Sequence, residues 1–100
     1  MEANEYQRLA EKTAGAADPA IQDSRVLYTA LGLAGEAGEI ANLTKKTIFH
    51  KHPYNREKFL DELGDVQWYL AMNAKAHDIS LDEVMEYNIK SLTSCSTCHR

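Results

Sequence analysis

Apolar residues recur along this chain at intervals of three and four, and no stretch alternates long enough to predict a strand. The spacing predicts four helices. The first spans about Asn4 to Ala14, with Tyr6, Leu9, Ala10 and Ala14 on one side and Gly15 as its stop. Asp18-Pro19 reads as a cap followed by a first-turn proline, opening a second helix whose periodic part runs from Ser24 to Phe49. Its stripe is Val26, Ala30, Leu33, Ala37 and Ile40. His50-Lys51-His52-Pro53-Tyr54 interrupts the pattern, because proline disfavours helix in the residue before it and has no amide to donate.

Asn55 is placed to cap a third helix, Arg56 to His77, with Leu60, Leu63, Leu70 and Ala74 as its stripe. Ser80-Leu81-Asp82-Glu83 has the spacing of a capping box, so a fourth helix is expected from Leu81 to Leu92. Its inner side is read as Leu81, Val84, Met85, Ile89 and Leu92. Residues 93–100 carry no periodicity and are expected to form a mobile tail behind one helical domain over residues 1–92. The fold class is all-α, a bundle of four main helices. So short a chain leaves much helix surface exposed, and a second copy is expected to complete the bundle.

The composition is that of an ordinary globular protein, with 44% hydrophobic and 26% charged residues. A formal charge of −4 and the absence of a basic stripe argue against a nucleic-acid partner. The apolar runs are too short for a membrane span, and the acidic, polar N-terminus is unlike a signal peptide. Two cysteines near the end of the chain do not make a secreted disulfide framework, so a reducing cytoplasm is the expected setting.

The chemistry lies in two matching phrases, Glu36-Ala37-Gly38-Glu39 and Glu62-Leu63-Gly64-Asp65. Each sets two carboxylates on one helix face, about 4.5 Å apart along the axis. A solvated acidic face normally carries lysine or arginine four residues on, as Glu86 has Lys90. Here those positions hold Ile40, Leu43, Val66 and Tyr69. Four carboxylates gathered between packed helices would repel one another and resist desolvation, and a divalent cation removes that difficulty. An all-oxygen donor set without histidine or cysteine favours Mg²⁺, with Mn²⁺ as the alternative. Glycines 32, 35, 38 and 64 are costly in a helix and suggest close approach of backbone or ligand.

Glu-x-x-Glu, 22 residues, then Glu-x-x-Asp resembles the signature of the MazG-like all-α nucleoside triphosphate pyrophosphohydrolases. The flanking phrases Leu31-Gly32-Leu33-Ala34-Gly35 and Asp61-Glu62-Leu63-Gly64-Asp65-Val66 are similar too, as is the opening Tyr6-Gln7 with Ala10, Thr13 and Ala14. The resemblance implies a homodimer or dimer of dimers holding Mg²⁺ on Glu36, Glu39, Glu62 and Asp65. It implies cleavage of a nucleoside triphosphate, often a deoxynucleotide, to monophosphate and pyrophosphate, a house-cleaning activity. A metal-bound water would attack the α-phosphorus, with Glu39, or equally Glu36, as the expected proton acceptor.

Tyr69 is placed either to flank the substrate or to pack as a core tyrosine, and Asn73 to reach sugar or base. Asn88 and Lys90 resemble a phosphate-contacting Asn and Lys of the family's last helix, although the usual spacing would put the lysine at Ser91. The family's basic Arg-Tyr-Pro-like continuation is replaced by residues 93–100. Lys45, Lys46 and His77 suit the negative ends of helices, and Trp68 suits core or interface. Cys95-Ser96-Thr97-Cys98-His99 has the form of a c-type haem attachment motif, without an export signal or any chain to wrap the haem. The rival function is a non-catalytic helical dimer that binds nucleotide or a protein partner.

Overall fold

The computed structural model describes residues 1–15 and 22–94. Four helices make up the described chain: α1 (Ala3–Lys12), α2 (Gln22–Phe49), α3 (Arg56–Ala76) and α4 (Leu81–Ser94). The fold is all-α, and no strand occurs among the described residues. The helix start expected at Asp18-Pro19 and the Cys95-to-His99 motif lie outside the described residues. The last helix runs two residues past the expected end, where Thr93 Oγ1 donates to the Ile89 carbonyl.

Local signals set the helix ends. Asn55 has extended backbone, and its Oδ1 accepts from the Lys58 amide at 3.3 Å, capping α3. At the other end the amide of Asp78 donates to the Lys75 carbonyl and that of Ile79 to the Ala74 carbonyl. These paired bonds form a Schellman turn, with Asp78 at φ +58° where glycine is commonest. The α4 N-terminus is capped by three side chains from two elements. Ser80 Oγ accepts from Glu83 N, Gln7 Oε1 from Leu81 N, and Asn4 Oδ1 from Asp82 N, all within 3.2 Å. Ser80 caps as the spacing implies, but no hydrogen bond from the Glu83 side chain back to the Ser80 amide is seen among the described residues; the neighbouring amides are capped from α1 instead.

Helices α2 and α3 form an antiparallel hairpin, while α1 and α4 pack against α3; neither touches α2 among the described residues. The core at this end is small: Ala10, Ala71, Met72 and Leu81, with Ala3, Tyr6, Ala14 and Trp68 around it. Gln7 is buried there, and its Nε2 donates to the carbonyls of Ala71 and Ile79 at 3.2 and 3.0 Å. The Trp68 indole packs against the core and donates to Thr13 Oγ1 at 2.8 Å.

The inward faces of the hairpin differ from those the apolar pattern predicts. Leu60, Leu63 and Leu70 are exposed, and the face of α3 turned inward is Phe59, Glu62, Val66, Tyr69 and Asn73. On α2, Ala30 and Ala37 are exposed, whereas Thr29, Gly32 and Glu36 lie toward α3. On α4, Met85 and Ile89 are exposed as well. The reason is geometric: small or polar residues at 29 and 32 let α3 side chains seat directly on α2. Asn73 Nδ2 donates to Thr29 Oγ1 at 3.0 Å, and the Tyr69 ring lies on Gly32. The leucines are left facing outward. The radius of gyration, 16.0 Å, exceeds the roughly 13 Å of a compact 100-residue domain.

Candidate active site

The carboxylates meet on the inward side of the α2–α3 hairpin. Glu36, Glu62 and Asp65 each offer one oxygen, and these three oxygens lie within 4.8 Å of one another. Glu36 and Glu62 are half-buried and Asp65 is exposed. Three carboxylate oxygens this close to one another would serve as the holding set for a single divalent ion. The set is all oxygen, as a hard divalent cation requires, so the residues fit such an ion. Glu39 is exposed and outside this trio, but its charge is felt at Glu62.

Partial burial raises the Glu62 carboxyl above its ordinary value of 4.5, and repulsion from Glu36, Asp65, Glu39 and Asp61 adds to the rise. An acid with a raised folded-state pKa destabilises the fold where it is charged. That penalty is relieved as pH falls through the raised value toward 4.5. Metal-free Glu62→Gln protein is therefore expected to melt above wild type at pH 7 to 8, with the difference closing near pH 4.5 in thermal melts followed by circular dichroism.

Two tyrosines border the carboxylates. The Tyr69 and Tyr28 rings lie 6.1 Å apart, centroid to centroid. Interaction with the Tyr28 hydroxyl first, then partial burial and the nearby Tyr28, Glu36 and Asp65, raise the Tyr69 pKa, so its hydroxyl stays protonated at neutral pH. Tyr6 is also held up, by burial first and then by Asp65, which places α1 beside the site. Tyr28 is readable as a site neighbour from its position on the face of Glu36. Nothing in local spacing points to Tyr6, because its approach to Asp65 is made by tertiary packing.

Of the four glycines near the acidic phrases, Gly32 alone has a close neighbour among the described residues. A Cβ there would overlap the Tyr69 ring, whereas Gly35, Gly38 and Gly64 face open space. Gly32→Ala is expected to destabilise the protein by about 1–3 kcal/mol through overpacking, while Gly35→Ala stabilises it by about 0.5–1 kcal/mol. Urea titrations of the two variants check both signs.

The remaining candidate residues are spread out. Asn73 sits two turns beyond Asp65 with its amide given to Thr29 Oγ1 and, at 3.4 Å, the Val26 carbonyl. Asn88 lines an open groove of about 400 Å³ on α4 with Ile79, Glu83, Val84, Tyr87 and Ser91. Lys90 is exposed on the same helix. Since α4 does not pack on α2, the structure does not join Asn88 or Lys90 to the α2 carboxylates. Lys45 and Lys46 are exposed at the α2 C-terminus, and His50 and His52 are exposed in the turn beyond it.

No helix among the described residues is long and apolar enough to cross a membrane. The Gene 37 protein of Mycobacterium phage L5 is 44% identical over 71 residues, which cover 67% of this chain and 62% of that protein. No solved structure shows a significant match. Residues 25–95 match the profile of the MazG nucleotide pyrophosphohydrolase domain, a stretch that includes both acidic phrases and the hairpin that joins them. With most of its length matched, and with carboxylates from both phrases converging on one point, the chain belongs to the MazG nucleotide pyrophosphohydrolase family.

Proposed function

We propose that the chain is a Mg²⁺-dependent hydrolase that cleaves a (deoxy)nucleoside triphosphate to the monophosphate and pyrophosphate. The observation that carries this reading is the convergence of Glu36, Glu62 and Asp65 between α2 and α3 in a chain of this family. These three residues, with Glu39 at the edge, would hold the divalent ion. Bound there, the ion supplies charge neutralisation for the phosphates and a lowered pKa for a coordinated water.

The protein's own groups do the rest. Glu39 stands outside the three-oxygen cluster and keeps a free carboxylate oxygen to accept a proton from the attacking water. The water oxygen bonds to the α-phosphorus, the bond to the bridging oxygen breaks, and pyrophosphate leaves. Tyr69 flanks the nucleoside with its ring, Asn73 holds the wall behind it, and Asn88 and Lys90 contact phosphate. Four exposed leucines, Leu27, Leu31, Leu60 and Leu63, mark the hairpin's outer faces, and a second copy covers them. This reading places a homodimer or dimer of dimers in the cytoplasm, with light scattering giving at least twice the 11.2 kDa chain mass.

The test is a panel of canonical and damaged nucleoside triphosphates, each incubated with Mg²⁺ or with EDTA. Pyrophosphate and monophosphate released only with metal support the proposal, and their ranking names the substrate. A folded, helical protein silent across the panel points instead to the non-catalytic nucleotide- or protein-binding dimer.

A further inference from the structure

Charge along the chain is segregated, which the total of −4 conceals. Residues 45–58 contain Lys45, Lys46, Lys51, Arg56 and Lys58, five of the eleven lysines and arginines, and only Glu57 among the fifteen acids. The local charge is thus +4, with His50 and His52 among these residues. All seven side chains are exposed at the tip of the α2–α3 hairpin. Among the described residues none of the five permanent cations is ion-paired; the pair observed, Lys75 with Glu11 at 3.8 Å, lies elsewhere.

The tip has a defined shape. The amides of His50 and His52 both donate to the Lys46 carbonyl, and Lys51 turns the chain at φ +54°. Aromatic faces stand between the cations: Phe49 is 76% exposed, and Tyr54, 67% exposed, stacks on Phe59 at 5.4 Å. Exposed cations with open rings among them are the two elements of a single-strand platform. A lipid surface fits less well, because apex-first insertion would carry His50, Lys51 and His52 into hydrocarbon ahead of the rings.

We propose that the α2–α3 hairpin tip binds single-stranded nucleic acid, with Lys46, Lys51 and Arg56 on phosphates and the Tyr54 ring stacked on a base. The platform is separate from the acidic trio: Lys46 is seven residues beyond Glu39, about 10 Å along α2. The proposal does not rest on the reading of catalysis.

The test is fluorescence anisotropy of the full chain with a labelled 20-nucleotide single strand, beside a duplex of the same length. Three phosphate contacts predict about 20-fold weaker binding at 200 mM salt than at 50 mM. The triple variant Lys46→Gln/Lys51→Gln/Arg56→Gln is expected to bind at least about tenfold more weakly, with the salt slope reduced by about two. Tyr54→Ala is expected to lose about tenfold with the slope unchanged and to abolish the preference for single strand over duplex. Circular dichroism and metal-dependent turnover of both variants should match wild type. Failure to bind at 50 mM salt, or equal binding by the triple variant, overturns the proposal. So does sedimentation with anionic vesicles by a protein that ignores the oligonucleotide. Loss of turnover in the triple variant, with no oligonucleotide binding by wild type, would reassign the tip to steering the triphosphate.

Discussion

Replacing Glu36 by glutamine, or Asp65 by asparagine, is expected to lower metal-dependent pyrophosphate release at least about 100-fold. Each substitution keeps the shape of the side chain and removes the charge that a hard cation needs. The three oxygens within 4.8 Å come from three different side chains, so losing one would remove a third of the clustered donors that would hold the ion. The loss should come without a loss of fold. In the metal-free protein Glu62 is raised first by partial burial and then by repulsion from Glu36 and Asp65, so neutralising one of these neighbours should leave the melting temperature unchanged or higher. That combination separates a ligand from a scaffold residue. Glu86→Gln, on the exposed face of α4, is the matched control and should be silent in both assays. Full activity in either site variant would remove the acidic cluster from the mechanism.

Gln7→Leu is expected to produce the largest loss of stability, about 2–4 kcal/mol, or roughly 10–20 °C in melting temperature. The side chain is 7% exposed and makes three hydrogen bonds, two given and one received. Through them α1 is joined to the end of α3, to the α3–α4 turn and to the first amide of α4. A leucine fills the space but strands the Ile79 carbonyl and the Leu81 amide. The Ala71 carbonyl is less affected, since it also faces the helical amide four residues on. Gln7→Glu should be at least as damaging, because a carboxylate cannot donate to either carbonyl. Thermal and urea unfolding would measure both variants, and a cost below about 1 kcal/mol would contradict this account of the α1 anchor.

Much of the backbone is legible in the sequence because its punctuation is local. Pro53 and Asn55 end one helix and start the next, Ser80 starts the last, and α3 begins at Arg56 as its cap implies. The choice of buried face is not local. Leu60, Leu63 and Leu70 form the more apolar stripe of α3, yet Phe59, Glu62, Val66, Tyr69 and Asn73 face inward. Periodicity counts apolar residues; it cannot show that Thr29 and Gly32 leave room on α2 for Asn73 and Tyr69 to dock. The acidic site was partly visible for the same reason that it was partly hidden. Spacing by three puts Glu62 and Asp65 on one face, whereas the approach of Glu36 across the hairpin, and of Tyr6 from α1, is tertiary. The anchors Gln7 and Asn4 act over more than 70 residues of sequence and have no local signature.

The most direct measurement is a turnover of the best triphosphate in ¹⁸O-labelled water, with Mg²⁺ and with EDTA, followed by mass analysis of both products. The account predicts turnover only with metal, one labelled oxygen in the nucleoside monophosphate, and unlabelled pyrophosphate. Label in the pyrophosphate, orthophosphate as the leaving product, or undiminished turnover in EDTA would contradict it.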